Sequence, residues 1–155
     1  MAALVYANED GYEFYNLTHP VFPNSAGNSR TDVMLVQYLI KEFLGSELAP
    51  AALRTAFTDI LLAATSRGQR FDDGIYGLHT RDAVKLFEQH FRSPGQDGIV
   101  RPVPDMEIFA SAPSVYKLKN LNFAFSSKML FRRMVMQEYA KRSMNPPLYK
   151  ELYSG

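Results

Sequence analysis

The chain has 155 residues, 46% of them apolar and 21% charged, a composition typical of a single globular domain. It contains no cysteine, which excludes disulfides, iron–sulfur clusters, cysteine-ligated zinc and a thiol nucleophile. Seventeen basic and sixteen acidic residues give a formal net charge of +1, which excludes a protein that binds polyanions over its whole surface.

The sequence also suggests where the protein is made. No stretch approaches the roughly 18 apolar residues of a membrane span, and residues 1–7 lack the basic region of a secretory signal. We therefore expect a protein that is cytoplasmic as synthesised. It would reach other places by release, by injection, or as part of a virion or secretion particle.

The first 28 residues predict a short β-hairpin and then an irregular loop. Apolar residues at 4–6 and 12–15 flank Asn8–Gly11, whose Asp-Gly pair suits a tight turn. Residues 18–28 are rich in proline, asparagine, serine and glycine, so we expect no regular structure there.

Two amphipathic helices are expected after this loop. Apolar residues recur at helical spacing over 33–43, with Ser29 or Thr31 as the N-cap and Gly45 as the stop. A second helix follows Pro50 and is carried by apolar residues at the same spacing.

The rest of the chain predicts a third helix, a short strand and a last helix. The third helix opens after Thr80 as its cap and ends at Pro94–Gly95. Residues 120–126 alternate in polarity, which favours a strand, and an amphipathic helix would run from there to about Arg142. The fold class is therefore mainly α with two short β segments at most. The tyrosines beyond Pro146–Pro147 are expected to dock on the domain or on a partner.

Two Asp-Gly turns bracket the third helix. Asp73–Gly74 is followed by Gly77, and Asp97–Gly98 comes 24 residues after the first pair. A loop with glycine at 74 and 77 is expected to need positive φ at both positions. The residues expected to set turns and caps, and so to hold the third helix in place, are Asp73, Gly74, Gly77, Thr80, Asp97 and Gly98.

Residues 30–102 resemble the peptidoglycan-binding-like domain, a three-helix module attached to many bacterial cell-wall hydrolases. The central motif of that family, D-G-x-F/Y-G-x-x-T-x-x-A-V-x-x-F-Q, is matched by Asp73, Gly74, Tyr76, Gly77, Thr80, Ala83, Val84 and Phe87. The first-helix pattern V-x-x-L-Q-x-x-L is approximated by Val33, Val36, Gln37, Leu39 and Ile40. The chain departs from the family at Glu88, where glutamine is usual, and at Arg101, where the second turn has glycine.

The resemblance implies an architecture and a function. The chain would be one domain with an N-terminal segment (1–28), a peptidoglycan-binding-like core (29–104) with an inserted helix (46–70), and a helical extension (105–155). The function implied is a non-catalytic binding module that holds cell-wall glycan or stem peptide. Its ligand-binding residues would be Tyr76, stacked on a sugar ring, with His79 and Arg81 holding a peptide carboxylate.

Two other functions stay open at this point. The insertion, the change at Arg101 and the extension favour a scaffold for protein–protein contacts, such as a structural or adaptor subunit of a phage or secretion-type assembly. Residues 113–150 carry eight bases and one acid, Glu138. This segment is expected to be a solvated helix face, with nucleic-acid binding as the less favoured alternative.

No enzyme motif is present in the sequence. The three histidines, His19, His79 and His90, are too dispersed to predict a zinc site, and no nucleotide-binding or hydrolase motif occurs. A long-range carboxylate pair such as Asp97 with Asp105 is the one catalytic arrangement left open. We therefore expect no catalytic residues, no metal and no cofactor.

Overall fold

The computed structural model describes residues 2–7, 12–91, 96–108 and 116–153. Over these ranges the chain forms a two-stranded sheet and seven helices, which confirms the mainly α fold class with a short N-terminal hairpin and a helical C-terminal extension. The elements are β1 (Ala2–Ala7), β2 (Tyr12–Leu17), α1 (Arg30–Leu44), α2 (Ala51–Ser66), α3 (Leu78–His90), α4 (Asp105–Ile108), α5 (Lys117–Arg132), α6 (Met136–Ser143) and α7 (Pro146–Tyr153).

The hairpin is antiparallel, as predicted, and its register pairs Ala2 with Leu17 and Ala7 with Tyr12. The predicted turn at 8–11 lies outside the described residues. Strand β1 packs against α7 and β2 packs against α5, and both strands contact α1. Because helices cover the hairpin, consecutive residues of β2 are buried, among them Phe14 and Tyr15.

Helix α1 lies at the centre of the fold. It contacts both strands and α2, α3, α5 and α7, so its residues from Val33 to Ile40 are almost all inaccessible to solvent. Ser29 is the N-cap, because its side chain accepts a hydrogen bond from the Asp32 N–H, and Gly45 ends the helix. These local signals confirm the predicted boundaries of α1.

Helix α3 begins earlier than predicted. It starts at Leu78 after an extended Gly77 (φ −104°), so Thr80 lies inside the first turn and its role as the cap is wrong. The expectation of positive φ at both glycines is also half wrong. Gly74 has φ +79° and the glycine of the second turn, Gly98, has φ +75°, but Gly77 does not. The predicted stop at 94–95 lies outside the described residues.

The strand predicted at 120–126 is wrong, because this segment belongs to α5. Leu121 and Phe125 are four residues apart and buried together, whereas Phe123 between them is 71% exposed. That pattern fits the 3.6-residue period of a helix. The predicted long last helix is wrong as well, since α5 ends at Arg132, followed by Arg133 as a C-cap in the left-handed conformation, and α6 begins at Met136.

Pro146 and Pro147 open α7 rather than end a helix, which proline permits in a first turn. The aromatic tail docks on the domain, as expected. The Tyr153 hydroxyl donates to Glu13 Oε2 over 2.8 Å and lies 2.5 Å from the Tyr15 hydroxyl. Burial raises the pKa of the Glu13 carboxyl, partly offset by this hydrogen bond.

One hydrophobic core includes residues from the N-terminal segment, the predicted central core and the C-terminal extension. It includes Ala2 from the hairpin, the buried residues of α1 and α3, and Leu152 from α7. Helix α2, the predicted insertion, contributes Phe57, which stacks edge-on against Phe71. Among the helices described here, none has both the length and the apolar character needed to cross a membrane.

Candidate functional site

The first Asp-Gly turn is held by a buried glutamine of α1. The amide of Gln37 accepts from the Gly74 N–H (2.9 Å) and donates to Thr80 Oγ1 (2.9 Å), Ile75 O (3.1 Å) and Asp73 Oδ1 (3.2 Å). Asp73 Oδ1 also accepts from the Ile75 N–H. The Thr80 hydroxyl is therefore occupied by Gln37 and by the turn, which explains why it does not cap α3.

The second turn is held by an ion-pair cluster that we call the Lys117 cluster, formed by Lys117, Glu88 and Asp97. Lys117 Nζ lies 2.8 Å from Glu88 Oε2 and 2.8 Å from Asp97 Oδ1, and it also donates to Ile99 O over 2.8 Å. The side chains of Lys117 and Glu88 are only 5% and 2% exposed. The Gly98 N–H donates to the same Glu88 oxygen. Buried charges at this depth are tolerated because each is paired and hydrogen-bonded.

Tyr76 connects the two turns from the inside. Its hydroxyl donates to Gly98 O, and its own carbonyl accepts from the Asn24 N–H over 2.9 Å. The preceding Pro23 lies against Gly98, so the 18–28 loop covers this region. Only 3% of Tyr76 is exposed, so the prediction that it is exposed and stacks on a sugar ring is wrong. Burial and nearby carboxylates raise the pKa of Tyr76, which keeps the hydroxyl a donor.

The other two predicted ligand residues lie in the first turn of α3. Arg81 is exposed, whereas His79 is partly buried and its Nε2 has no hydrogen-bond partner within the described part of the chain. The structure does not bring Tyr76, His79 and Arg81 onto one exposed surface, because Tyr76 is interior. The three predicted residues therefore do not form the expected ligand surface.

The two acidic residues left open as a catalytic pair, Asp97 and Asp105, lie in different surroundings. Both oxygens of Asp97 accept hydrogen bonds, from Lys117 and the Ile99 N–H on one side and from Arg101 on the other. Asp105 is an exposed residue at the start of α4. Over the ranges described, no group of three or more His, Asp or Glu side chains is arranged to hold a metal ion.

The charge on Asp97 is expected to make stability depend on pH. Partial burial opposes its ionisation, but hydrogen bonds from Lys117, Ile99 and Arg101 hold the pKa of its carboxyl well below its usual range. A lowered folded-state pKa stabilises the fold above the usual value of about 4 and loses that effect as the pH falls. We expect Asp97→Asn to be less stable than wild type at pH 7, with the difference shrinking below about pH 5. Urea unfolding of both proteins between pH 7 and about pH 2 checks this prediction. A difference in stability that stays the same over these pH values would contradict it.

The basic C-terminal segment directs much of its charge inward. Lys128 Nζ lies 2.5 Å from Glu42 Oε2 and is 5.4 Å from the centre of the Tyr139 ring, and both charged side chains are about nine-tenths buried. Arg132 forms a two-point ion pair with Glu47 at the surface, with N–O distances of 3.1 and 2.8 Å. With Lys117, at least three of the eight bases are thus paired with carboxylates. The expectation of a solvated basic face is wrong for Lys117 and Lys128.

The remaining exposed feature is apolar. Phe123, Leu130 and Phe131 of α5, together with Val135 just beyond it, are 71%, 82%, 70% and 61% exposed. We call these four residues the α5 apolar face. Their spacing of seven and eight residues places the three helical members on one side of α5. Isolated exposed apolar residues are ordinary, but contiguous patches of a few hundred Å² mark interaction sites.

The α5 apolar face is not predicted from the sequence, because the alternation over 120–126 places Phe123 in a strand. Two intervals in the sequence carry the signal for this face. Phe123 and Leu130 are seven residues apart, which is a helical interval, and the buried Leu121 and Phe125 are four residues apart. These two intervals point to opposite sides of one helix. One side is core and the other is surface.

Comparison with known proteins gives no family assignment for this chain. The resemblance to peptidoglycan-binding-like domains therefore depends on the motif residues within 30–102 alone. No family model, no curated protein and no solved structure matches the chain.

Proposed function

We propose that this chain is a non-catalytic interaction module, a structural or adaptor subunit that binds another protein through the α5 apolar face. The observation that carries the proposal is the set of four large apolar side chains, on α5 and just beyond it, that are each 61–82% exposed. Removing a side chain of this kind from water is favourable by about 1.5–3 kcal/mol. A partner that covers all four gains enough to offset part of the cost of association.

The internal arrangement of the polar groups supports the same proposal. The two turns that resemble a ligand-binding motif are held together by Gln37, Tyr76 and the Lys117 cluster. These groups make contacts within the fold, so they serve to build the scaffold. The binding surface is therefore assigned to α5, where large apolar side chains are exposed to solvent.

Peptidoglycan binding is the second candidate. The observation that favours it is the exposed Arg81, near in sequence to two exposed apolar residues, Ile75 (67%) and Leu78 (44%). A guanidinium next to apolar side chains suits a peptide carboxylate better than a sugar ring. Sedimentation of the protein with purified sacculi tests this candidate, and Arg81→Ala should then reduce the pelleted fraction.

The absence of cysteine allows a direct test of the main proposal. Leu130→Cys and, as a matched control, Leu62→Cys on α2 carry single thiols at exposed positions (82% and 63%). Each is labelled with a photoactivatable cross-linker and exposed to extract of the source cells. We expect a discrete adduct from Leu130→Cys that is missing from Leu62→Cys and is lost when Phe123→Ser is added. Identical products at both positions, or none at Leu130, would contradict the proposal.

The scaffold role of Tyr76 gives a further prediction. Tyr76→Phe removes only the hydroxyl and leaves the buried Gly98 carbonyl without its donor. We expect the free energy of unfolding to fall by about 1–2 kcal/mol, with no change in sedimentation with sacculi. Urea unfolding measures the first quantity. A loss of sacculus binding at unchanged stability would instead show that the hydroxyl contacts a ligand.

A further inference from the structure

We infer that the α5 apolar face binds one amphipathic helix of a partner protein, with a large apolar side chain at its centre and an acidic residue at the end that faces Arg133. This inference rests on the proposed function and names the chemistry of the partner. It starts from the positions along α5 that the fold leaves outside. The other side of α5 is fixed to the core by buried residues such as Leu121 and Phe125.

The exposed side of α5 has the spacing of a helix–helix seam. Lys119, Phe123, Ser126, Leu130 and Arg133 follow one another at intervals of four, three, four and three residues. Phe123, Leu130 and Arg133 are exposed, whereas Lys119 and Ser126 are half-buried. Alternation of four and three is the repeat by which two packed helices keep their contact residues facing each other. The seam is about 20 Å long at 1.5 Å per residue, which matches one partner helix of about four turns.

The centre of the seam carries two small, half-buried side chains. Ser126 and Ser127 are small, and they lie between the protruding Phe123 and Leu130. These four positions, i, i+3, i+4 and i+7, surround the place where a knob from a facing helix inserts. A leucine or phenylalanine of the partner therefore fits between the two serines, with its sides against Phe123 and Leu130.

Charge selects the partner. Helix α5 contains no acidic residue, and Arg133, its C-terminal capping residue, is exposed at one end of the seam. A partner helix with a glutamate or aspartate at that end gains an ion pair at the rim of the contact, which favours register and encounter rate. A second copy of α5 has no acidic residue to place opposite Arg133, so a homodimer through this face is disfavoured.

A lipid surface is a poorer match to the same residues. Recognition of anionic lipids uses clusters of about four or more bases that face the membrane. On α5, Lys117 and Lys128 are buried against carboxylates, and Arg132 pairs with Glu47.

The test uses the full chain and designed helical peptides of roughly 20 residues, long enough to form a helix. Each peptide carries leucines along one face and either glutamates or lysines at one end. Fluorescence anisotropy should show binding of the acidic-ended peptide and about tenfold weaker binding of the basic-ended one. Leu130→Glu should weaken the acidic-ended peptide by about tenfold or more, whereas the control Leu62→Glu should not. Arg133→Glu should reverse the preference between the two peptides.

Each contrary result overturns a stated part of the inference. Equal affinity for both peptides overturns the acidic partner. Binding to phosphatidylserine vesicles without binding to either peptide overturns the helical partner, and so does a wild-type dimer in sedimentation equilibrium that Leu130→Glu dissociates. If neither peptide binds but the Leu130→Cys cross-link persists, the inference fails while the proposed function stands. If neither peptide binds and the Leu130→Cys cross-link is also absent, both the inference and the proposed function fail.

Discussion

Replacing Lys117 with methionine is expected to lower the free energy of unfolding by about 3–5 kcal/mol at neutral pH, because a buried ion pair broken on one side leaves an uncompensated charge. The charge left behind is Glu88, whose side chain is 2% exposed and which also accepts a hydrogen bond from the Gly98 N–H. Urea unfolding followed by circular dichroism measures the loss.

Two further variants separate the ion pair from general damage to α5. In Lys117→Met with Glu88→Gln, the neutral amide still accepts from Gly98, so most of the lost stability should return. Arg101→Met breaks the exposed pair with Asp97, where the side chains are 52% and 36% exposed, and should cost less than about 1 kcal/mol. A double variant as unstable as Lys117→Met alone would show that packing, not charge, is responsible.

The buried ion pairs also explain why the charge pattern of the sequence is hard to interpret. The basic C-terminal segment and the acids of α1 and α3 are far apart in sequence: Lys128 and Glu42 are separated by 86 positions. A single sequence gives the excess of bases in one segment but not the carboxylates that face them. The formal charge of +1 therefore includes bases that are neutralised inside the fold.

Elements whose signals are local were predicted well. Helix α1 has a serine cap, a glycine stop and a continuous apolar period between them, and the structure places its ends at Arg30 and Leu44. The hairpin follows from two apolar runs around an Asp-Gly pair, and its strands form at 2–7 and 12–17. In both cases neighbouring residues carry the whole signal.

Elements that depend on distant contacts were predicted poorly. In a short segment such as 121–125, an interval of four residues satisfies both a helix and a strand, and only packing against α1 and β2 decides for the helix. Thr80 has the sequence position of a cap, but its hydroxyl is engaged by Gln37, which is 43 residues away. Tyr76 is covered by the 18–28 loop, which the sequence described only as irregular.

The sequence predicts positive φ at both glycines of the first turn, Gly74 and Gly77, whereas the structure has it only at Gly74. Alanine variants at the two positions test this difference. Gly74 has φ +79°, and a Cβ added there would lie 2.5 Å from Arg30 Cγ and 3.1 Å from Arg30 O. A left-handed residue with a side chain costs about 1–2 kcal/mol, and overpacking adds about 1–3 kcal/mol. We therefore expect Gly74→Ala to lower the free energy of unfolding by about 2–5 kcal/mol.

Two other glycines are matched controls for Gly74. Gly68 has φ +69° but no atom within 4 Å of an added Cβ, so Gly68→Ala should cost only the backbone part, about 1–2 kcal/mol. Gly77 has φ −104° and the same open surroundings, so Gly77→Ala should be neutral or stabilising by up to about 1 kcal/mol. Urea unfolding of the three variants gives the order directly. Equal losses at Gly74 and Gly77 would mean that the turn needs positive φ at both positions, as the sequence pattern alone predicts, and that the close approach of Arg30 adds nothing.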